Sequence, residues 1–301
     1  MGDQDLLPVR EERTITVAAD RRLGIAEFGP GDGRPVFWLH GTPGGRRQVP
    51  PAARRAAEEL GVRVIGVERP GTGESTGHLY PDVRAFADDL RIVADTLGLQ
   101  RFGVIGLSGG GPYTLACAHE LPDRVVAAVV LGGVAPTVGD DTPGGGLVDL
   151  ARLLRHPVNV ARLGLDVAVT TMVRALRPFG HQGLSLYAWL GPEGDRAAFA
   201  APGMEAMFLD DLNTAAARGG LGAATADLVL FGRGWGFSVR EISVPVRFWH
   251  GDSDHIVPLA HAEHLAGLVP DSDLHVRPGE SHLGTLVVGD EALRTVVDLW
   301  N

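Results

Sequence analysis

The segment Gly106-Leu107-Ser108-Gly109-Gly110 sets a serine between glycines two positions to either side, after the apolar run Phe102–Ile105 and before the helix-like stretch Pro112–His119. Strand, sharp turn and helix around G-x-S-x-G hold a serine hydroxyl out at the end of a sheet, where it can act as a nucleophile. Larger side chains would collide across so tight a turn, so Gly106 and Gly110 make the room. The N–H of Gly109, in the first turn of the helix, aims at the same spot and supplies one donor for a developing oxyanion. A serine hydroxyl also needs a base, and the base an acid to orient it. Both occur downstream. Asp254 lies in Trp249-His250-Gly251-Asp252-Ser253-Asp254-His255 after the run Val246–Trp249, and His282 lies in Gly279-Glu280-Ser281-His282 after Asp273–Val276. Asp252 competes for the acid's role; Asp254 is preferred because the two extra residues carry its carboxylate past the strand end toward the His282 loop.

A second oxyanion donor is expected from His40-Gly41-Thr42-Pro43-Gly44-Gly45, which follows the run Val36–Leu39. The N–H of Thr42 is the candidate, since Pro43 has none, and His40 is expected to brace this loop. The loop has no G-x-G-x-x-G pattern, so a phosphate cradle is a weak alternative. His250 and His255 read as packing or loop residues. His261 and His264 have helical spacing but no accompanying carboxylate, and no metal site is expected.

The elements that must position these residues can be read from hydrophobic periodicity. Thr14–Val17 and Leu23–Phe28 resemble a strand pair. Val36–Leu39, Val62–Val67, Phe102–Ile105, Val125–Leu131 and Val246–Trp249 are near-continuous apolar runs, as expected of strands buried on both faces of a parallel sheet. Helical patterns separate them. The clearest runs from Asp82, a candidate N-cap, through Val83, Phe86, Leu90 and Val93 to Leu97, with Gly98 as its stop. The expected fold is α/β: a mostly parallel sheet with helices on both faces. The alternation breaks after the joint Gly139–Gly146. Val158, Ala161, Leu165, Met172, Val173 and Leu176, then Met204, Met207, Phe208 and Leu212, repeat at helical spacing. The expected division is a core over 1–135 and 240–301 and an inserted, mainly helical cap over 136–239. The helix Pro258–Leu268 and a closing helix with Leu293, Val296, Val297 and Trp300 complete the core.

Composition narrows the chemistry. The 301 residues contain 27 basic side chains, all arginine, against 37 acidic ones. Without lysine there is no Schiff-base amine, Walker lysine or lysine base. A net charge of −10 argues against nucleic acid or an anionic membrane as partner. The acidic N-terminus (Asp3, Asp5, Glu11, Glu12) does not read as a secretory signal, and no apolar run approaches the roughly 18 residues of a membrane span. The single cysteine, Cys117, is expected to be a packed core thiol, which fits a reducing cytoplasm.

Taken in order, His40-Gly41-Thr42-Pro43-Gly44, Glu68-Arg69-Pro70-Gly71-Thr72-Gly73-Glu74-Ser75, Gly106–Gly110, Gly251–Asp254 with Val257-Pro258, and Gly279–His282 resemble the α/β-hydrolases of the lid-bearing serine hydrolase and esterase type. The likeness covers about residues 20–135 and 240–300 and implies Ser108 as nucleophile, His282 as base, Asp254 as orienting acid, and Gly109 with Thr42 as oxyanion hole. Glu68 stands where the family usually has Asp, in a turn expected to brace the nucleophile loop. A serine nucleophile speaks against the dehalogenase and epoxide hydrolase chemistry of relatives that use a carboxylate. The implied reaction is hydrolysis of an ester or lactone of a small, largely apolar molecule, without cofactor, by a monomer or homodimer. Alternatives are a lyase, a cyclase, a cofactor-free oxygenase or a haloperoxidase-like enzyme on the same site, or an aminopeptidase of the proline iminopeptidase kind. The last usually has Trp where this chain has Gly109. A non-catalytic ligand-binding relative would need no complete triad. In the cap, Met172, Tyr187, Trp189, Met204, Met207 and Phe208 are either a pocket lining or the cap's own core. Arg46 and Arg47 stand as candidates for a substrate carboxylate, with a solvated pair as the alternative.

Overall fold

The structure, a computed structural model, describes residues 6–139, 142–143 and 147–300, with backbone alone over 147–155. Most of the Gly139–Gly146 joint therefore lies outside the described residues, as do Asp3 and Asp5. The chain opens with β1 (Glu11–Ala18), β2 (Arg21–Phe28), β3 (Arg34–Leu39), α1 (Pro51–Leu60), β4 (Val62–Val67), α2 (Phe86–Thr96), β5 (Phe102–Leu107), α3 (Gly111–Glu120) and β6 (Val125–Leu131). Five helices follow before the next strand: α4 (Leu147–Leu176), α5 (Gly180–Leu190), α6 (Glu193–Ala200), α7 (Met204–Arg218) and α8 (Ala223–Phe231). The chain closes with β7 (Val246–Gly251), α9 (Ala260–Leu268), β8 (Ser272–Arg277), α10 (Gly284–Val287) and α11 (Gly289–Asp298).

All eight strands form one sheet in the order β1-β2-β4-β3-β5-β6-β7-β8. β1 and β2 are antiparallel to each other and β2 to β4; from β4 to β8 every pairing is parallel. The apolar runs of β3, β5 and β6 are continuous because alternate residues feed two cores. Phe37, Phe102, Val104 and Val130 face one core with Phe86, Leu90 and Val93 of α2 and Leu115 of α3. Trp38, Ile105, Val129 and Leu131 face the other with Ala53 and Ala57 of α1 and Leu293 and Val296 of α11. Cys117 is fully buried in the first, where burial pushes its thiol up, away from a reactive thiolate.

Two local expectations shift. α2 begins at Phe86 rather than beside Asp82, because the Asp82 carboxylate caps an earlier turn, accepting from Ala85 N–H at 3.0 Å. On α4, Ala161, Leu165, Met172 and Leu176 lie on exposed positions. The helix instead turns polar groups toward its neighbours: Asp166 accepts from Thr225 Oγ1, Thr170 Oγ1 accepts from Leu221 N–H at 3.2 Å, and Arg174 donates to the Ala216 carbonyl at 2.7 Å. No helix among the described residues is long and apolar enough to cross a membrane.

Candidate active site

The parallel strands deliver the chemistry to one edge, where ligand sites of open α/β sheets form. Ser108 follows β5, Thr42 follows β3, Asp254 follows β7 and His282 follows β8. Ser108 has φ +48°, the one positive value outside glycine among the described residues, as expected of a serine thrust out on a strained turn. The flanking glycines are required by contact. A Cβ at Gly106 would lie 2.2 Å from Thr114 Oγ1, and one at Gly110 2.2 Å from the Leu39 carbonyl.

Ser108 Oγ lies 2.9 Å from His282 Nε2, and His282 Nδ1 lies 2.7 Å from Asp254 Oδ2. The other carboxylate oxygen of Asp254 accepts from the N–H groups of Ile256 at 2.9 Å and Val257 at 2.8 Å. Burial alone would raise the Asp254 carboxyl, but hydrogen bonds from His250 and His282 outweigh it and hold the group well below the usual carboxylate range. An ionised Asp254 can only accept, so Nδ1 of His282 carries the proton and Nε2 is free to take one from Ser108. This is the geometry of a Ser-His-Asp triad. Asp252 is not part of it: its Oδ1 accepts from Gly279 N–H at 2.8 Å and from Ser253 Oγ at 3.0 Å.

Thr42 packs directly on the turn that carries Ser108. A Cβ at Gly109 would lie 2.2 Å from Thr42 Oγ1 and 3.0 Å from Thr42 Cβ, so only glycine fits after the nucleophile. His40, fully buried, donates from Nδ1 to the Gly41 carbonyl at 2.7 Å and accepts at Nε2 from Arg69 N–H at 3.2 Å. Burial, with the Arg69 guanidinium close by, pushes its imidazole well below the usual range, so it braces the loop as a neutral ring. In the Glu68–Ser75 turn, expected to brace the nucleophile loop, Arg69 reaches the loop after β3, donating to the His40 and Gly41 carbonyls and to Thr42 Oγ1, and lies over the ring of Tyr113 on α3, 5.1 Å from its centre.

A cavity of about 250 Å³ opens onto Ser108 and His282. Its walls are Leu107, Leu184, Tyr187, Phe199, Phe208, Leu212, Ile256, Leu283 and Leu286, with Thr42 and Gln48 as polar members, and among the described residues no Arg, Asp or Glu lines it. Of the candidate cap residues, Tyr187 and Phe208 reach this cavity. Trp189 does not. It lies two residues beyond Tyr187 on α5, about 200° around the helix, and is 70% exposed. Met172 is exposed as well, while Met204 and Met207 are buried in the core against the sheet. Arg46 is also absent from the cavity. Its side chain is buried among Glu12, Glu68 and Glu74, which occupy the guanidinium; Arg47 pairs with Glu12 and Asp210. Leu212, at helical spacing from Phe208, joins the lining; Leu184, Phe199 and Ile256 are lining residues that the sequence candidates do not include, and of these Leu184, three residues before Tyr187, carries a helical spacing that marks it. A wider groove of about 1200 Å³, lined by Arg177, His181, Glu205 and Arg218 among others, runs over the outside of the inserted helices and does not include the triad. His261 accepts from Ala135 N–H at 3.1 Å, and among the described residues no cluster of His, Cys, Asp or Glu could hold a metal ion.

The chain is 30% identical over 271 residues to a non-heme haloperoxidase of Rhodococcus erythropolis, covering 84% of this chain and 86% of that protein. It is 26% identical over 265 residues to a bifunctional esterase/perhydrolase of Acinetobacter calcoaceticus, covering 85% and 87%. Its fold is similar to that of a thermophilic esterase from Thermogutta terrifontis, with a TM-score of 0.67 and 21% identity over 97% of this chain and all of that one. Residues 34–287 match the alpha/beta hydrolase fold family. With a matching sheet, an inserted helical region and a Ser-His-Asp triad at the strand ends, the chain belongs to the alpha/beta hydrolase fold family.

Proposed function

We propose that this protein hydrolyses a carboxylic ester or lactone of a small, largely apolar substrate through an acyl-enzyme on Ser108. The observation that carries this reading is the unbroken chain Ser108–His282–Asp254 opening into a cavity to which the described residues contribute no Arg, Asp or Glu. Ser108 Oγ attacks the ester carbonyl as His282 Nε2 takes its proton, and the N–H groups of Thr42 and Gly109 receive the oxyanion. His282 then gives the proton to the leaving alcohol. Water, deprotonated by His282, attacks the acyl carbonyl, and Ser108 recovers its proton as the acid departs. Serine, histidine, aspartate and backbone donors suffice for every step. Tyr187 and Phe208 contribute to the acyl or alcohol pocket in this reading, and the cap over 136–239 closes over a core formed by 1–135 and 240–301. A small neutral molecule fits both the apolar lining and the acidic net charge better than any anionic partner.

The test is a panel of p-nitrophenyl esters and lactones, run beside a fluorophosphonate probe whose adduct is located by mass spectrometry. Turnover of medium-chain or aromatic esters, a label on Ser108, and loss of both in Ser108→Ala are expected. Ester turnover that survives Ser108→Ala would overturn the assignment.

A second reading rests on the likeness to the haloperoxidase and the esterase/perhydrolase. Hydrogen peroxide in place of water would attack the same acyl-enzyme, with His282 taking the peroxide proton, and release a peroxy acid while regenerating Ser108. Peroxide-dependent bromination of a reporter in carboxylate buffer, abolished in Ser108→Ala, is expected if this discharge competes with water; a rate equal to that of the buffer alone would rule it out.

A further inference from the structure

Among the described residues three carboxylates of the inserted helices are buried, and each grips a loop that carries part of the triad or the oxyanion site. Asp195, on α6, is 2% exposed, and its Oδ1 accepts from Ser281 Oγ and, at 2.8 Å, from Leu283 N–H. These are the two chain neighbours of His282. α6 sits so close to this loop that a Cβ at Gly194 would lie 2.8 Å from Ser281 N. Asp211, on α7, is 1% exposed and accepts from Gly45 N–H at 2.7 Å and Arg47 N–H at 2.9 Å, at the far end of the loop that begins with His40. Asp227, on α8, is 1% exposed and accepts from Thr42 Oγ1, from Arg69 at 2.7 Å and, at its other oxygen, from Tyr113 OH at 2.7 Å. Tyr113 belongs to α3, the helix that starts beside Ser108, so Asp227 ties the oxyanion loop to the nucleophile helix. Backbone bonds reinforce the join: Gly73 N–H donates to the Gly220 carbonyl at 3.0 Å and Gly222 N–H to the Gly71 carbonyl at 2.8 Å.

A cover that only shields substrate would need none of these contacts. Burying a carboxylate is costly unless its oxygens find donors, and here each finds them on a catalytic loop. From this geometry we infer that Asp195, Asp211 and Asp227 are positioning residues, through which the inserted helices fix His282 and the Thr42 oxyanion donor. The inference rests on the proposed ester hydrolysis at Ser108. Under it, the catalytic loops are fully assembled only while the inserted helices are seated.

The measurement is kcat per active site, with sites counted by stoichiometric fluorophosphonate labelling, in Asp195→Ala, Asp195→Asn and Asp227→Ala, with exposed Asp88→Asn as control. A displacement on the order of 1 Å costs about a hundredfold in rate. kcat per labelled site is therefore expected to fall about tenfold to a hundredfold in the alanine variants, with KM within about twofold. Asp195→Asn keeps a carbonyl oxygen for Ser281 and Leu283 and is expected to recover most of the loss. If an alanine variant fails to fold, Ser281→Ala removes one donor and leaves Leu283 in place; a several-fold drop in kcat per site is expected there. Fewer labelled sites with undiminished kcat at each would mean a role in folding alone and would overturn the inference. A wild type that takes no label on Ser108 would instead refute the ester hydrolase reading, and the inference with it.

Discussion

Thr42 Oγ1 occupies the space that a side chain at Gly109 would need, at 2.2 Å from where its Cβ would stand. The two residues proposed to hold the oxyanion are thus fitted to each other. Gly109→Ala is expected to displace Thr42 and lower kcat by about 10²-fold, the cost of losing an oxyanion donor. Soluble expression and an unchanged melting temperature would accompany the loss if the defect is local; full activity in Gly109→Ala would remove both residues from the oxyanion site.

Asp254 and Asp252 are two residues apart, but only Asp254 meets His282. Asp254→Asn would invert the hydrogen-bond polarity at Nδ1 and is expected to lower kcat by about 10⁴-fold. Asp252→Asn keeps an acceptor for Gly279 N–H and should leave kcat within about twofold. Steady-state kinetics on one ester compares them directly, and the reverse ranking would refute the assignment.

Phe208 and Tyr187 wall the cavity, whereas Trp189 points outward. Phe208→Ala is expected to shift the preferred acyl chain to a longer one, raising kcat/KM for the longer ester by about tenfold or more, the scale of one methylene in an apolar pocket. The chain-length profile of kcat/KM reads this out. Trp189→Ala should leave the profile unchanged; a profile that responds to Trp189 and not to Phe208 would relocate the pocket.

Glu68 sits beneath this loop system, and burial, outweighing the attraction of Arg46, pushes its carboxyl from 4.5 up to about 7. Its folded value is raised, so between pH 4.5 and 7 the folded chain holds a proton that the unfolded chain has lost. Stability from this group therefore falls as pH rises through that window and is level above it. Glu68→Gln is neutral at every pH and can still accept from Glu74 N–H, which donates to Glu68 at 2.9 Å. Melting temperatures at pH 5 and pH 8 should differ less in the variant than in the wild type. An equal or larger difference would count against a protonated Glu68.

The sheet was legible because strands buried on both faces must be apolar at nearly every position: Val62–Val67, whose one charged residue is Arg63, and Val125–Leu131 are bounded as expected. The triad was legible because its members follow strand ends within recognisable turns. The cap lining was legible only in part, since helical spacing gives the angle between side chains but not which angle faces the sheet. Tyr187 and Trp189 are alike in composition but parted by about 200° of rotation around α5. Arg46 adjoins the oxyanion loop in sequence, but the acids that claim it, Glu12 and Glu74, come from distant segments. Asp195 and Asp227 carry no local signal either; in sequence they look like ordinary surface charges on helices.

Among the described residues no Arg, Asp or Glu lines the cavity wall, and this bears on how turnover ends. The ester enters neutral, but the acid it yields ionises at neutral pH and becomes an anion facing apolar side chains. Such a charge is poorly solvated there, and no arginine among the described residues lines the wall to hold it. Forming the product therefore supplies its own push toward solvent, so the site discharges by creating a guest that it cannot keep. The carboxylate of a good ester substrate should inhibit weakly at pH 8 and more strongly as the pH approaches its own pKa, whereas strong inhibition by the anion would point to a cation at the site.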